Sequence, residues 1–284
     1  MKALRGFSVL VLLLSPLSVH AQVTYLAVEK TQFYNQTANN TAPGAPYSYS
    51  VYAVVDTASS GDANSFTLSD GPSIVNLFGS STSFGGYNYY GTKAAMDAAF
   101  PSGGAFTFTA NGGSLGGESD SLPVRPDNYG REMYLTGTGI SDAMNLNSSS
   151  GHTFDIGYTG TGLSTSTCFA ILNSSNQFIY DVSGTAAQSS YALSSAFLET
   201  LAPGEQYRGE LVDFNDVGVL THGSFSGAPN SDVFAQSTTF CIEVVPEPSV
   251  GVMIFCGLGL LIFLKARRMP IGSRGVVCGT KYPR

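Results

Sequence analysis

Short runs in which apolar and polar residues alternate recur along the chain, and they constrain its fold more than any other feature. Four of them cover residues 47–53, 105–109, 153–158 and 207–211. A period of two is typical of strands with one buried face, and Gly-Gly, Asn-Gly and Pro-Gly turns separate the runs. We therefore predict an all-β fold of short antiparallel strands packed as β-sandwiches.

Helical periodicity is weak by comparison. No convincing helical period extends over about twelve residues between the two chain ends. The single helix candidate covers residues 92–99, where Thr92 has the chemistry of an N-cap and Phe100-Pro101 ends the helix.

The first 21 residues have the pattern of a secretory signal peptide. Lys2 and Arg5 form a positive start, residues 7–17 form a short apolar core, and Val19-His20-Ala21 supplies a small-residue cleavage site. We predict cleavage between Ala21 and Gln22. Residues 1–21 therefore belong to export, and the fold begins at Gln22.

A second membrane signal lies near the other end of the chain. The box Pro246-Glu247-Pro248 precedes an apolar run over residues 250–264 and then the basic stop formed by Lys265, Arg267 and Arg268. A helix of this length reaches roughly 22 Å, less than the roughly 30 Å hydrocarbon core, so it crosses only if Lys265 snorkels to the interface. The three cations are typical of the cytoplasmic side. The sequence thus predicts a C-terminal transmembrane helix.

The passage over residues 246–268 resembles the PEP-CTERM sorting signal of exported Gram-negative proteins. That resemblance implies that exosortase, a membrane protease, is a partner and that extracellular polysaccharide is a further one. It also implies a transient stay in the inner membrane, followed by the cell surface or extracellular matrix. A plain C-terminal anchor is the alternative. The chain continues over residues 269–284, a short tail, whereas the family usually ends at the basic cluster.

The exported region, residues 22–245, is strongly acidic. It holds five Lys and Arg residues against nineteen Asp and Glu residues, a net charge near −14. Because binding to phosphates requires a cationic face, this balance excludes nucleic acid as a partner.

The spacing Leu201-Ala-Pro203-Gly204-Glu-Gln-Tyr207 resembles the turn between the fifth and sixth strands of fibronectin type III domains. The resemblance implies a tyrosine corner, in which the Tyr207 hydroxyl bonds to backbone upstream. Working outward from this turn predicts an immunoglobulin- or fibronectin-like β-sandwich over residues 126–245. Its seven strands lie near residues 132–139, 152–158, 167–172, 177–182, 190–199, 206–214 and 233–244.

The preceding residues are too many for a loop and predict a second β-rich domain over residues 22–125. A Gly-, Ser-, Asp- and Pro-rich stretch over residues 111–127 is typical of a linker or a long exposed loop. A single larger sandwich over residues 22–245 stays open as an alternative.

Two cysteines, Cys168 and Cys241, lie in the exported region and form a candidate disulfide in an oxidising compartment. Our own strand assignment opposes the bond, because the sixth strand separates the third strand from the last. Either the two thiols converge at a sheet end, or both stay free.

Residues with the chemistry of an active site are sparse. Gly223-Ser-Phe-Ser-Gly227 has Phe at its centre and so does not match the Gly-x-Ser-x-Gly elbow, His152 and His222 lie without Cys or His at ligand spacing, and the acidic clusters at 118–120 and 213–216 do not match a calcium loop. We predict no catalytic residue, no metal and no cofactor. We interpret the aromatic run over residues 84–90 as a strand or as core packing. The alternative is a loop that exposes aromatic faces to a ligand.

These observations favour a non-enzymatic exported protein of the envelope or extracellular matrix. The alternative is a secreted polysaccharide-active hydrolase with the same sorting signal. A deep cleft with two facing carboxylates and aromatic walls would favour the hydrolase, whereas a flat acidic surface would favour the matrix protein.

Overall fold

The computed structural model of the chain describes residues 22–70, 73–219, 225 and 230–245. Within them the elements are β1 (Val23–Asn35), β2 (Ser48–Thr57), β3 (Ser65–Asp70), β4 (Ser73–Ser80), β5 (Ser83–Tyr90), α1 (Lys93–Ala99), β6 (Ala105–Asn111), β7 (Ser119–Pro123), β8 (Glu132–Leu135), α2 (Gly139–Ala143), β9 (Leu146–Asn147), β10 (His152–Thr159), β11 (Ser166–Leu172), β12 (Phe178–Thr185), β13 (Ser190–Leu193), α3 (Ser195–Leu198), β14 (Gln206–Val219) and β15 (Asn230–Val245). The chain is thus predominantly β, as the alternating runs predict.

The signal peptide, the sorting signal with its apolar run and the tail lie outside the described residues. None of the helices within the described ranges has the length and apolar character of a membrane-crossing segment. The predictions on residues 1–21 and 246–284 therefore stay predictions.

The predicted helix over residues 92–99 is confirmed as α1. The Thr92 hydroxyl accepts a hydrogen bond from the Ala95 N–H at 3.2 Å and so satisfies one of the free donors of the first turn. Phe100, which is fully buried, ends the helix immediately before Pro101.

One large sheet contains twelve of the described strands. Its order is β12-β11-β14-β15-β1-β2-β5-β4-β3-β6-β7, and β9 pairs with β15 beside this path. The predicted antiparallel pairing is confirmed along this order except between β1 and β15, which run parallel from the Leu26–Asn230 pair to the Asn35–Thr239 pair. The short β9 is also parallel to β15. Parallel neighbours need a long crossover, and here nearly the whole chain lies between the two strands.

The second half of the chain forms a β-sandwich. The separate sheet β13-β10-β8 covers one face of β12-β11-β14-β15, and both contribute to one core. The first, second and fifth strands of this half thus oppose the third, sixth and seventh, the division typical of immunoglobulin-like sandwiches. The stacked rings of Phe169 and Phe240, 6.3 Å apart, lie in this core against the edge of Phe154.

The seven predicted strands of this half are all present. Two of them are clearly shorter than predicted. β8 ends at Leu135 within the predicted range 132–139, and β13 ends at Leu193 within the predicted range 190–199, where the chain turns into α3. The Ser194 hydroxyl caps that helix by accepting a hydrogen bond from the Phe197 N–H at 3.2 Å. Ser194 therefore caps a helix within a range for which the sequence predicts a strand.

The predicted tyrosine corner is confirmed. The Tyr207 hydroxyl accepts a hydrogen bond from the Ala202 N–H at 2.8 Å. Leu201 is 4% exposed in the core, and Gly204 turns the chain with a φ of +82°, a left-handed conformation that favours glycine. The Gly204 N–H donates to the Val244 carbonyl at 2.8 Å, which fastens the turn to β15.

The first half encloses a second core between β1 to β7 and α1. Phe66 is central to it, with the ring of Phe84 at 5.2 Å and the ring of Phe225 at 6.3 Å. The alternation of β3 and β6 places every second side chain in this core and the others toward solvent.

The prediction that residues 111–127 form a linker or loop is wrong over part of their length. β7 pairs with β6 in a hairpin, and Leu115 and Val124 are each 3% exposed. Gly112 and Gly113 have φ values near +70° at the turn of this hairpin. The glycines therefore lie in the loop of a β-hairpin, between Asn111 and Ser119, and not in a linker.

Side-chain contacts also join the halves besides the β1–β15 pairing. The Gln36 side chain donates to the Leu135 carbonyl at 2.8 Å and accepts from the Leu135 N–H at 2.7 Å. Lys30, 1% exposed, binds Asp127 at 3.1 Å. The division into domains 22–125 and 126–245 stays a prediction, as does the single larger sandwich.

Candidate functional site

The residues of the two predicted membrane signals lie almost entirely outside the described ranges. These residues are Ala21, Pro246, Glu247, Pro248, Lys265, Arg267 and Arg268. Gln22, on the other side of the predicted cleavage point, is described: its carbonyl accepts from the Ala58 N–H at 2.9 Å.

The candidate disulfide between Cys168 and Cys241 is absent, and both cysteines are free thiols. β14 lies between their strands, and along it Cys168 is opposite Val212 whereas Cys241 is opposite Arg208. Two strand spacings and a four-residue offset put the Cα atoms roughly 16 Å apart, far beyond the range of a disulfide. The free-thiol alternative describes this fold.

Other polar residues that the sequence singles out pack or form hydrogen bonds within the fold. His152 contacts the ring of Phe154 at 4.5 Å. Asp213 is fully buried and accepts hydrogen bonds from the Arg131 N–H and the Ser164 hydroxyl. Within the described residues no group of three or more His, Cys, Asp or Glu side chains is placed to hold a metal ion. His222 lies outside the described residues.

A groove of about 560 Å³ on the outer face of the large sheet is a candidate site. β1, β2 and β5 line one side of it, and β11, β12 and β14 line the other. Since strands so far apart in the sheet order share one groove, this face of the sheet is concave. Both cores lie on the opposite face, so the groove side chains are not needed to fill a core.

The first side of the groove is aromatic. The rings of Tyr87 and Tyr89 are 4.9 Å apart, and Phe33 follows at 6.0 Å from Tyr89 and Tyr47 at 6.4 Å from Phe33. Tyr87 and Tyr89 are 60% and 63% exposed. We call this row of four rings the aromatic ladder. The strand predicted for residues 84–90 is confirmed as β5. The rings of Tyr87 and Tyr89 are also exposed, which was the second interpretation of this aromatic run.

The second side of the groove is charged and carries Asp181, Arg208 and Glu210. Arg208 lies 3.9 Å from Glu210 and donates to the Asn176 side chain at 3.0 Å. Glu210 also accepts a hydrogen bond from the Ser237 hydroxyl, and Asp181 accepts one from the Cys168 thiol at 3.0 Å. Burial, with the neighbouring Asp181 carboxylate, raises the pKa of the Cys168 thiol to about 12, so this cysteine is not a thiolate nucleophile at neutral pH.

Glu29 lies on the aromatic side, where β1 presents Glu29, Thr31 and Phe33 to the groove. Burial raises the pKa of the Glu29 carboxyl, and the nearby negative charge of Glu210 raises it further. The hydrogen bond that Glu29 accepts from the Thr31 hydroxyl at 2.6 Å acts in the opposite direction.

A groove of this kind can bind an extended amphipathic ligand. Ring faces pack against apolar surface, while carboxylates and a guanidinium form hydrogen bonds along the other side. Our reading of the sequence misses its charged members Glu29, Arg208 and Glu210, since they come from strands brought together only by the β1–β15 pairing. The alternation along β1 places Glu29, Thr31 and Phe33 on one face of the strand. This local pattern could have identified one part of the groove.

Neither a protein-family model nor a curated protein matches the chain. Among solved structures the chain is similar to the FN1–FN3 domains of chicken CNTN1, with 11% sequence identity over 79% of this chain and 68% of that chain. The TM-score of 0.22 is too low to support an argument about fold or function. The β-sandwich assignment depends on the sheets and cores described above.

Proposed function

We propose that this chain is an exported, non-enzymatic protein of the envelope or extracellular matrix that holds extracellular polysaccharide in the concave groove. The observation that carries the binding proposal is the aromatic ladder facing a charged wall. A sugar ring has an apolar face of C–H groups and a rim of hydroxyl groups, so it suits one wall that packs and another that forms hydrogen bonds.

The proposed extracellular location is supported by sequence features outside the groove. The signal peptide at residues 1–21 and the box Pro246-Glu247-Pro248 support export and processing by exosortase. The acidic balance of residues 22–245 suits a solvated extracellular protein. Mass spectrometry of surface and medium fractions tests this part: we expect peptides ending near Pro248, whereas an intact Arg284 at the surface would favour a plain anchor.

The binding proposal is tested by affinity electrophoresis against neutral polysaccharides. Replacing both Tyr87 and Tyr89 by Ala removes two ring contacts of about 0.5–1.5 kcal/mol each, so affinity should fall about five- to hundredfold. Phe78→Ala is the matched control, because Phe78 is 70% exposed but does not line the groove. Equal affinity of all three proteins would contradict the proposal.

A secreted hydrolase is the second candidate, and the pair Glu29 and Glu210 favours it. One carboxyl with a raised pKa near a second carboxylate, between aromatic walls, is the arrangement that glycoside hydrolysis uses. Release of reducing ends from a bound polysaccharide, lost in Glu29→Gln and in Glu210→Gln, would establish it. We expect binding without release.

A further inference from the structure

We propose that the groove selects polysaccharides that carry free amino groups over those that carry carboxylates. This inference rests on the proposed function, because it names the chemical class of glycan for the same site. It depends on the charges of the groove and on the aromatic ladder, which favour a cation by different physical routes.

The charge of the groove is the first route. Three carboxyl groups line it, those of Glu29, Asp181 and Glu210, against one cation, Arg208. Burial raises the pKa of the Glu29 carboxyl, and a bound ammonium group would favour its charged form. Glu29 and Asp181 each accept one hydrogen bond, from Thr31 and Cys168, through a single carboxylate oxygen. Among the described residues no donor is placed on the other oxygens of Glu29 and Asp181. An ammonium group brings donors and a positive charge together.

Arg208 does not reverse this preference. Its guanidinium is already directed to Glu210 at 3.9 Å and to the Asn176 side chain at 3.0 Å. A uronate carboxylate in the groove would therefore compete with Glu210 for Arg208 and would share the groove with the Asp181 carboxylate. Like charges within one groove repel, and the net charge near −14 of residues 22–245 adds to the repulsion.

The aromatic ladder is the second route. A cation over the face of a tyrosine ring is attracted by the ring quadrupole, by about 0.5–1 kcal/mol at exposed sites. Tyr87 and Tyr89 are more than half exposed, so their rings are accessible to such a cation. A neutral sugar gains only the packing contact with these rings, whereas an amino sugar gains both.

The test compares two oligosaccharides of one length and linkage with the full chain in detergent. A glucosamine oligomer carries the ammonium groups, and the N-acetylglucosamine oligomer lacks them. Calorimetry at low ionic strength should show about tenfold tighter binding of the glucosamine oligomer, and most of that ratio should disappear at about 0.5 M salt. An oligouronate of the same length should bind more weakly than either.

Variants separate the groove from general attraction between a polyanion and a polycation. Glu210→Gln should lower the ratio between the two oligomers about threefold or more, whereas Glu118→Gln should leave it unchanged. Glu118 is exposed and does not line the groove. The double replacement of Tyr87 and Tyr89 by Ala should weaken both oligomers.

The outcomes distinguish the two proposals. Equal binding of the two hexosamine oligomers, stronger binding of the oligouronate, or a ratio that Glu118→Gln lowers as much as Glu210→Gln would overturn the selectivity and leave the groove as a glycan site. If none of the three oligosaccharides bound, or if the double replacement of Tyr87 and Tyr89 left their affinities unchanged, the proposed function itself would be overturned.

Discussion

Replacement of Gln36 by Ala tests whether the two halves of the chain are fastened through one side-chain amide. Gln36 is 2% exposed and forms a matched pair of hydrogen bonds with the backbone of Leu135, 2.8 Å to its carbonyl and 2.7 Å from its N–H. Leu135 belongs to β8 at the edge of the smaller sheet, so no further strand satisfies these groups. In effect Gln36 replaces one residue of a neighbouring strand.

The expected loss follows from the two backbone groups left without partners. Each buried, unpaired group costs about 1–3 kcal/mol, so Gln36→Ala should lower the free energy of unfolding by about 2–6 kcal/mol. For a region of this size the melting temperature should fall by roughly 5–15 °C. Urea unfolding followed by circular dichroism measures the free energy of unfolding, and thermal unfolding followed by the same signal measures the melting temperature.

Gln177→Ala is the matched control, because Gln177 is exposed in the turn between β11 and β12. It should change the free energy of unfolding by less than about 0.5 kcal/mol. If Gln36→Ala lost no more than this control, the account of Gln36 as a buried fastener would be refuted.

Two further predictions concern stability. Burial raises the pKa of Glu132 from 4.5 to about 7, so its contribution to stability is present below pH 4.5 and is lost as the pH rises through 7. Glu132→Gln should therefore be more stable than the wild type by up to about 3 kcal/mol at pH 8 and nearly equal to it at pH 4.5, and a gain independent of pH in urea unfolding would contradict this. Tyr207→Phe removes the hydroxyl that accepts from the Ala202 N–H and should cost about 1 kcal/mol in the same assay; no loss would mean that the corner adds nothing.

Local signals were sufficient for much of the fold. The strands of the second half follow from alternation, and the corner at Leu201 to Tyr207 was predicted from its resemblance to the fibronectin type III turn. The start of α1 follows from Thr92. Each of these features is decided by residues within about ten positions of one another, which is the range of a sequence pattern.

Long-range pairing was not predictable in the same way. β1 and β15 are joined along ten residue pairs, from Leu26–Asn230 onward, although the two strands stand at opposite ends of residues 22–245. Nothing in either strand specifies the other as a neighbour, since hydrophobic pattern sets which face is buried and not which strand lies beside it.

The groove depends on that pairing. It joins Phe33 and Glu29 of β1 to Arg208 and Glu210 of β14, so its composition could not be assembled from the sequence. The aromatic run over residues 84–90 was visible, but alternation alone did not decide whether Tyr87 and Tyr89 faced a core or solvent. The exposed face of β5 decides it.

Hydroxyl-radical footprinting with mass spectrometry tests the central claim most directly, because it reads exposure at individual side chains with and without a glycan. Tyr52, Tyr87 and Tyr89 line the groove, and Leu163, which is 71% exposed, lies outside it. A saturating amino-sugar oligomer should lower oxidation of the three tyrosines several-fold and leave Leu163 unchanged. Protection that is absent from the tyrosines, or equal at Leu163, would contradict the assignment of the groove as the binding site.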